Sequence, residues 1–235
     1  MWCAQGGAKP AFLAGHSLGE YSALVCAGVL SLADAVKLVE KRGQYMQTAV
    51  PAGTGAMSAI IGLDDELIAK ACAEAAQGDV VSPVNFNSPG QVVIAGNKAA
   101  VERANELCKA AGAKRALPLP VSVPSHCALM RPAALQLASD LAAMSFAPAQ
   151  FAVVNNVDVA VTFDETAIKD ALVRQLYSPV RWTETIEWLA SQGVTDVVEI
   201  GAGKVLNGLI KRINRDLVVS SVNDIASLSA SVTAQ

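Results

Sequence analysis

Charge is scarce in this chain. Only 17% of its 235 residues are Asp, Glu, Lys or Arg. A formal net charge of −3 and a pI near 5.4 argue against a nucleic-acid binder. No C-x-x-C pair occurs among the five cysteines, Cys3, Cys26, Cys72, Cys108 and Cys127. Odd in number and widely separated, they read as reduced thiols of a cytoplasmic protein, not as a disulfide framework or a metal site. The most apolar stretch, residues 11–30, is interrupted by His16 and Glu20, which excludes a membrane span. The N-terminus lacks a basic segment leading into an apolar one, so no signal peptide is expected. With only two histidines, any imidazole chemistry falls to His16 or His126. What is abundant is aliphatic: 52% of residues are hydrophobic, enough for a large core and a smaller companion domain.

The periodicity predicts a strand at 11–14, a helix at 20–29, and a second helix to about Gln47 opened by a Ser31/Asp34 capping box. "PAGTG" (51–55) then breaks the pattern. Strand 56–62, helix 64–77, strand 80–86, turn "NSPGQ", strand 92–95, helix 97–111 and strand 115–120 follow. That order is β-α-β-β-α-β, a ferredoxin-like unit. Helix 126–144, strand 151–155, helices 164–177 and 182–192, strand 195–200, helix 203–213 and strand 217–222 return to alternation, and "SLSASVTAQ" reads as a frayed end. Alternation implies a mainly parallel sheet flanked by helices. The expectation is an α/β fold: a discontinuous large domain (1–54 and 121–235) interrupted by a small one (55–120).

"AFLAGHSLGEYSALVCAGV" (11–29) places G-x-S-x-G between a strand and a helix, the setting of a nucleophile elbow. Ser17 would stand at the end of the sheet, with the helix N-terminus and the Leu18 N–H turned toward a developing oxyanion. A serine needs a base. His16 adjoins it and should point away. His126, in "VPSHCALM", is the better candidate, kept neutral by its place at a helix start. No acid stands out as a third partner. Cys127 beside it reads as a buried, inert thiol.

On the second helix Ala35, Leu38, Val39, Tyr45 and Met46 share one face, and Lys37, Glu40, Lys41, Gln44 and Thr48 the other. Arg42 falls within the apolar face. A guanidinium cannot shed its charge, so it needs either an internal carboxylate or an anionic group on a substrate.

The stretches "GHSLGEYSAL", "VEKRGQYMQ", "GTGAMSAIIGL", "VNFNSPGQVVIAG", "LPVSVPSHCALM", "ALVRQLYSPVRW" and "EIGAGKVL" together resemble the malonyl-CoA:acyl carrier protein transacylases, in the family's order and through nearly the whole chain. The resemblance implies an α/β-hydrolase-like domain with a ferredoxin-like insertion. It implies transfer of malonyl from malonyl-CoA to acyl carrier protein through an acyl-Ser17, for fatty-acid synthesis by default. His126 would be base and then acid, Arg42 would hold the malonyl carboxylate, and the Gln175 main-chain carbonyl would orient the histidine. Leu18 would supply one oxyanion donor and Met46 would line the pocket. No cofactor is implied, coenzyme A thioester being a substrate, and the expected form is a cytoplasmic monomer.

The family's "GQGSQ" loop, whose glutamine is the second oxyanion donor, has no counterpart, since "AQGGA" (4–8) lies at a different place. Met1 would then be internal to a longer protein, and this chain a truncated member with weakened or absent activity. A serine hydrolase or thioesterase is the rival enzyme, disfavoured by Arg42. "GAGKV" (201–205) fails as a phosphate loop. Lys204, Lys211 and Arg215 form a stripe that is either a solvated face or a dock for carrier or coenzyme phosphates.

Overall fold

The computed structural model describes residues 6–121 and 123–233, with side chains given through 230. Strand β1 (Phe12–Ala14) runs into α1 (Leu18–Cys26) and α2 (Leu32–Thr48). The Ser31 hydroxyl caps α2, accepting from the Asp34 N–H at 3.0 Å, and replaces one of the acceptors a helix start lacks.

A four-stranded antiparallel sheet follows, in the order β3-β4-β2-β5. Its strands are β2 (Gly55–Ile61), β3 (Val81–Ser88), β4 (Gln91–Asn97) and β5 (Arg115–Pro118), with α3 (Asp65–Ala76) and α4 (Lys98–Ala110) between them. This is the ferredoxin-like order expected from the sequence. β4 is central and reads as a continuous apolar run because both of its faces are covered. Ile60, Val92 and Ile94 pack with Ile68, Val101 and Cys108 of the helices. Met57, Val84, Val93 and Ala95 turn to the other face, where Cys127 joins them. At Gly96 a Cβ would lie 1.9 Å from the Val80 carbonyl oxygen, so the close approach of β3 and β4 requires glycine there.

Beyond the small sheet come α5 (Arg131–Ala142), β6 (Ala152–Val154), α6 (Glu165–Gln175), α7 (Trp182–Ser191), β7 (Asp196–Ile200), α8 (Val205–Ile213), β8 (Val218–Val222) and α9 (Ile225–Thr233). β1 pairs in parallel with β6, and β7 with β8. Among the described residues the parallel strands thus form two pairs, not one continuous sheet. Both pairs lean on α7: Phe12, Ala14, Val197 and Val219 pack against the cluster built on Trp182, Ile186 and Leu189. The largest core joins α1, α2, α5 and α6 through Tyr21, Leu24, Leu38, Leu137 and Leu172.

Two expectations need correction. Of the C-terminal segment expected to fray, residues 227–233 belong to α9, which Asp224 caps by accepting the Ser227 N–H at 2.7 Å; residues 234 and 235 lie outside the described residues. The helix expected from 126 begins at Arg131, after a 3-10 turn over Ala128–Met130. Pro132 fits a first helical turn but not an interior one. His126 therefore does not stand at an α-helix N-terminus.

Gly96→Ala is expected to destabilise the protein by about 2–3 kcal/mol, the cost of overpacking a site whose obstruction is backbone. Urea denaturation followed by circular dichroism should show a lowered midpoint with an unchanged slope.

Candidate active site

Parallel pairing of β1 with β6 places Ala14 opposite Val154, so the segments leaving the two strands emerge side by side at their C-terminal edge. Open α/β sheets build their sites at such an edge. Ser17 follows β1 and adopts φ 52°, ψ −106°, a strained conformation for a residue with a Cβ. The strain is held by Asn156, the second residue after β6. Its Oδ1 accepts the Ser17 N–H at 2.7 Å, and its Nδ2 donates to the Gly15 carbonyl at 2.7 Å. Of the two flanking glycines only Gly15 is sterically demanded. A Cβ there would sit 2.0 Å from the Gly19 backbone, whereas one at Gly19 would meet open space.

The Ser17 hydroxyl and His126 Nε2 are 2.8 Å apart. His126 Nδ1 lies 2.7 Å from the Gln175 carbonyl. A carbonyl can only accept, so Nδ1 carries the hydrogen and Nε2 presents its lone pair to the serine. The ring sits in a left-handed turn (φ 64° at His126), and its backbone N–H donates to the Leu176 carbonyl at 2.9 Å. Two carbonyls at the end of α6, unpaired within their own helix, are thus satisfied by one histidine. Its neighbour Cys127 is wedged into the underside of the small sheet, and burial pushes that thiol up to about 11, so it is packing and not a nucleophile.

His126 is held neutral by burial above all, and then by the nearby Arg42 charge, which together bring it down to about 3. The helix-start explanation given by the sequence is replaced by these two causes. His16 points away from Ser17, as expected. Its Nε2 meets Asn87 Oδ1 at 2.8 Å and its ring tilts against Trp182.

Arg42 is buried at 6% exposure. Among the described residues no carboxylate pairs with it. Its Nη2 donates to Ser17 Oγ at 3.1 Å and to Gln175 Oε1 at 3.2 Å, while its Nε has no partner. The guanidinium also lies over the Tyr21 ring, 5.6 Å from the centroid.

Among the described residues the Leu18 N–H, at the first position of α1, meets no acceptor, and it can serve an oxyanion. Met46 is one turn beyond Arg42 on the same face of α2, buried in the main core. The structure thus brings Ser17, His126, Arg42, Gln175 and the Leu18 N–H together. Gln5 of "AQGGA" lies outside the described residues.

Three contributors escaped the sequence reading. Asn156 fixes the serine backbone. The Gln175 side chain, fully buried, donates from Nε2 to the Ser17 carbonyl at 3.1 Å and to Glu20 Oε2 at 2.8 Å. Glu20, 3% exposed in the first turn of α1, also accepts the Asn156 N–H at 2.9 Å. The signals were a polar Asn155–Asn156 pair ending an apolar strand and a carboxylate on the buried side of α1.

At the other candidate, "GAGKV", Glu199 accepts the N–H groups of Leu206 and Asn207 at 3.1 and 2.7 Å. A carboxylate already fills the place a phosphate would take. Lys204, Lys211 and Arg215 are solvent-exposed.

Comparison with known proteins agrees with this geometry. The family described as "Acyl transferase domain" matches residues 1–229. The malonyl CoA-acyl carrier protein transacylase of Salmonella typhimurium is 67% identical over 233 residues, covering 99% of this chain and 75% of that protein. The protein of the same name from Bacillus subtilis is 50% identical over 94% of this chain and 70% of its own length. Among solved structures, an acyl carrier protein S-malonyltransferase from Vibrio cholerae superimposes with TM-score 0.96 at 69% identity, over 97% of this chain and 75% of that one. A malonyl-transacylase in complex with a type II PKS acyl-carrier protein gives 0.98 at 63% identity, over all of this chain and 76% of that one. An α/β fold with a ferredoxin-like insertion, a half-buried serine hydrogen-bonded to a buried histidine and this extent of likeness together place the chain in the acyl transferase domain family.

Proposed function

We propose that the protein transfers a malonyl group from malonyl-CoA to the thiol of acyl carrier protein, in fatty-acid synthesis, through an ester on Ser17. The observation that carries this reading is the Arg42 guanidinium, buried without an acid in contact and 3.1 Å from Ser17 Oγ. A neutral acyl chain has no use for that charge, and an ester hydrolase would only lose by burying it. A malonyl thioester brings a carboxylate two bonds from the reacting carbonyl, which suits a fork beside the nucleophile.

The steps follow from the contacts. Ser17 Oγ attacks the thioester carbonyl as its proton passes to His126 Nε2. The nucleophile elbow points the carbonyl oxygen toward the Leu18 N–H, where the first turn of α1 adds its positive end. The Gln175 carbonyl stabilises the imidazolium that forms, doing without an aspartate. The C–S bond then breaks, and the Nε2 proton goes to the departing coenzyme A thiolate. The carrier thiol reverses the sequence, giving up its proton to His126 and taking the malonyl group. Met46 would close the inner side of the acyl pocket. All these groups belong to one chain, which supports action as a monomer, and the unpaired Cys26, Cys72, Cys108 and Cys127 support a reducing cytoplasm. The exposed Lys204, Lys211 and Arg215 suit an acidic carrier.

Incubation with malonyl-CoA followed by peptide mapping is expected to show a malonyl ester on Ser17 that added carrier protein discharges. Loss of the ester to water at the same rate with or without carrier would favour a hydrolase, and no ester at all would refute the reading.

Arg42→Ala should lower kcat/KM for malonyl-CoA about 100-fold or more, the scale of removing one partner of a buried charge pair. Acetyl-CoA should be affected far less, so the ratio of the two rates reads the clamp directly.

Because His126 must be neutral to act and is held well below its ordinary range, its protonation should not limit the rate between pH 5 and 8. Single-turnover acylation at saturating malonyl-CoA should be flat there. An acid limb with a midpoint near 6.5, the ordinary imidazole value, would contradict the burial argument.

A further inference from the structure

Glu20 and Arg42 are both buried, at 3% and 6% exposure, yet they do not touch. The Gln175 carboxamide lies between them. Its Nε2 donates to Glu20 Oε2 at 2.8 Å, and its Oε1 accepts from Arg42 Nη2 at 3.2 Å. A carboxylate only accepts and a guanidinium only donates, so this amide has one permitted orientation, its negative end to the cation and its positive end to the anion. The arrangement is an ion pair relayed through one polarised amide. Arg42 retains donor capacity beyond it, because its buried Nε is unpartnered.

We propose that Glu20 is the internal counter-charge of Arg42, coupled to it through Gln175, and that it takes up one proton from solvent when the substrate carboxylate docks on Arg42. The proposal rests on the malonyl reading above and deepens it. In the empty site above pH 7, one anion balances one cation. With substrate bound, two carboxylates share a single guanidinium in a dry interior, where an uncompensated charge is expensive. The substrate carboxylate takes the direct contact. Glu20, one amide removed, is therefore the group that neutralises.

The surroundings favour that choice. The other charge acting on Glu20 is Asp158, which opposes its ionisation and is itself held by Arg174 through two hydrogen bonds at 2.8 and 2.7 Å. Tyr21 and His126 also lie near; burial keeps the phenol protonated and the imidazole neutral. Desolvation already pushes the Glu20 carboxyl up to about 7, so protonation near neutral pH requires little. Glu20 lines a cavity of about 10 Å³ with Leu24, Val153 and Asn155, room for one water to accept the new O–H. The sign follows: binding raises the proton affinity of Glu20, so protons are taken up, and affinity for the malonyl thioester falls as pH rises from 6 to 8.

The test is isothermal titration of Ser17→Ala protein with malonyl-CoA and with acetyl-CoA at pH 7.5, in buffers of different ionisation enthalpy. Malonyl-CoA should bind with uptake of about 0.5–1 proton more than acetyl-CoA. Glu20→Gln, whose amide oxygen can still accept both hydrogen bonds, should abolish the difference. Binding without that uptake, or uptake that survives Glu20→Gln, overturns the proposal and leaves the malonyl reading intact. Failure of malonyl-CoA to bind overturns the malonyl reading instead. The charge pair is then judged on the unliganded protein by infrared titration of the Glu20 carboxyl band. A midpoint raised by Arg42→Gln supports the pair, and an unmoved midpoint refutes it.

Discussion

A guanidinium that cannot lose its proton, held inside the protein with no acid against it, sets the terms for everything around Ser17. Arg42 reaches its place because α2 presents it from the same face as the buried Leu38 and Met46, which leaves the residue only 6% exposed. Its burial is tolerated through distributed compensation: the Gln175 amide, the Tyr21 ring face and the serine hydroxyl each take part of the charge. The same charge lowers the proton affinity of His126 and holds Glu20 toward its ionised form. Specificity and base strength thus share one electrostatic origin.

The second organising element is the end of α6. Helix termini leave carbonyls without intrahelical donors, and here those of Gln175 and Leu176 receive the ring and backbone N–H groups of His126. The helix gains a cap, and the histidine gains a fixed tautomer with negative potential behind it. The side chain of the same Gln175 reaches the Ser17 carbonyl, so one residue registers the base against the nucleophile from both its main chain and its side chain.

Much of this was legible in the sequence. The split β-α-β-β-α-β order was readable because alternation between periods of two and 3.6 is sharp from 55 to 120, and α2 because Ser31 and Asp34 cap it. Ser17, His126 and Arg42 stood out through a glycine-flanked turn, a shortage of histidines and a cation on an apolar face. What stayed hidden depends on contacts between distant segments. Asn156 reaches the serine only through the parallel register of β1 with β6. The Gln175 carboxamide is indistinguishable in sequence from any helical glutamine. The neutrality of His126 follows in the sequence from an expected helix start at 126; the helix instead begins at Arg131, next to Pro132, and burial supplies the neutrality.

One consequence concerns the small sheet. Cys127 is seated in its underside, adjacent in the chain to the general base, so the imidazole is anchored on one side to the end of α6 and on the other to a layer that contributes none of the other reacting groups. Loosening the packing around Val84 and Val93 would therefore register first as a drift of the proton acceptor away from its hydroxyl. Random substitutions in that remote layer would surface as slow enzymes well before they surface as unfolded ones.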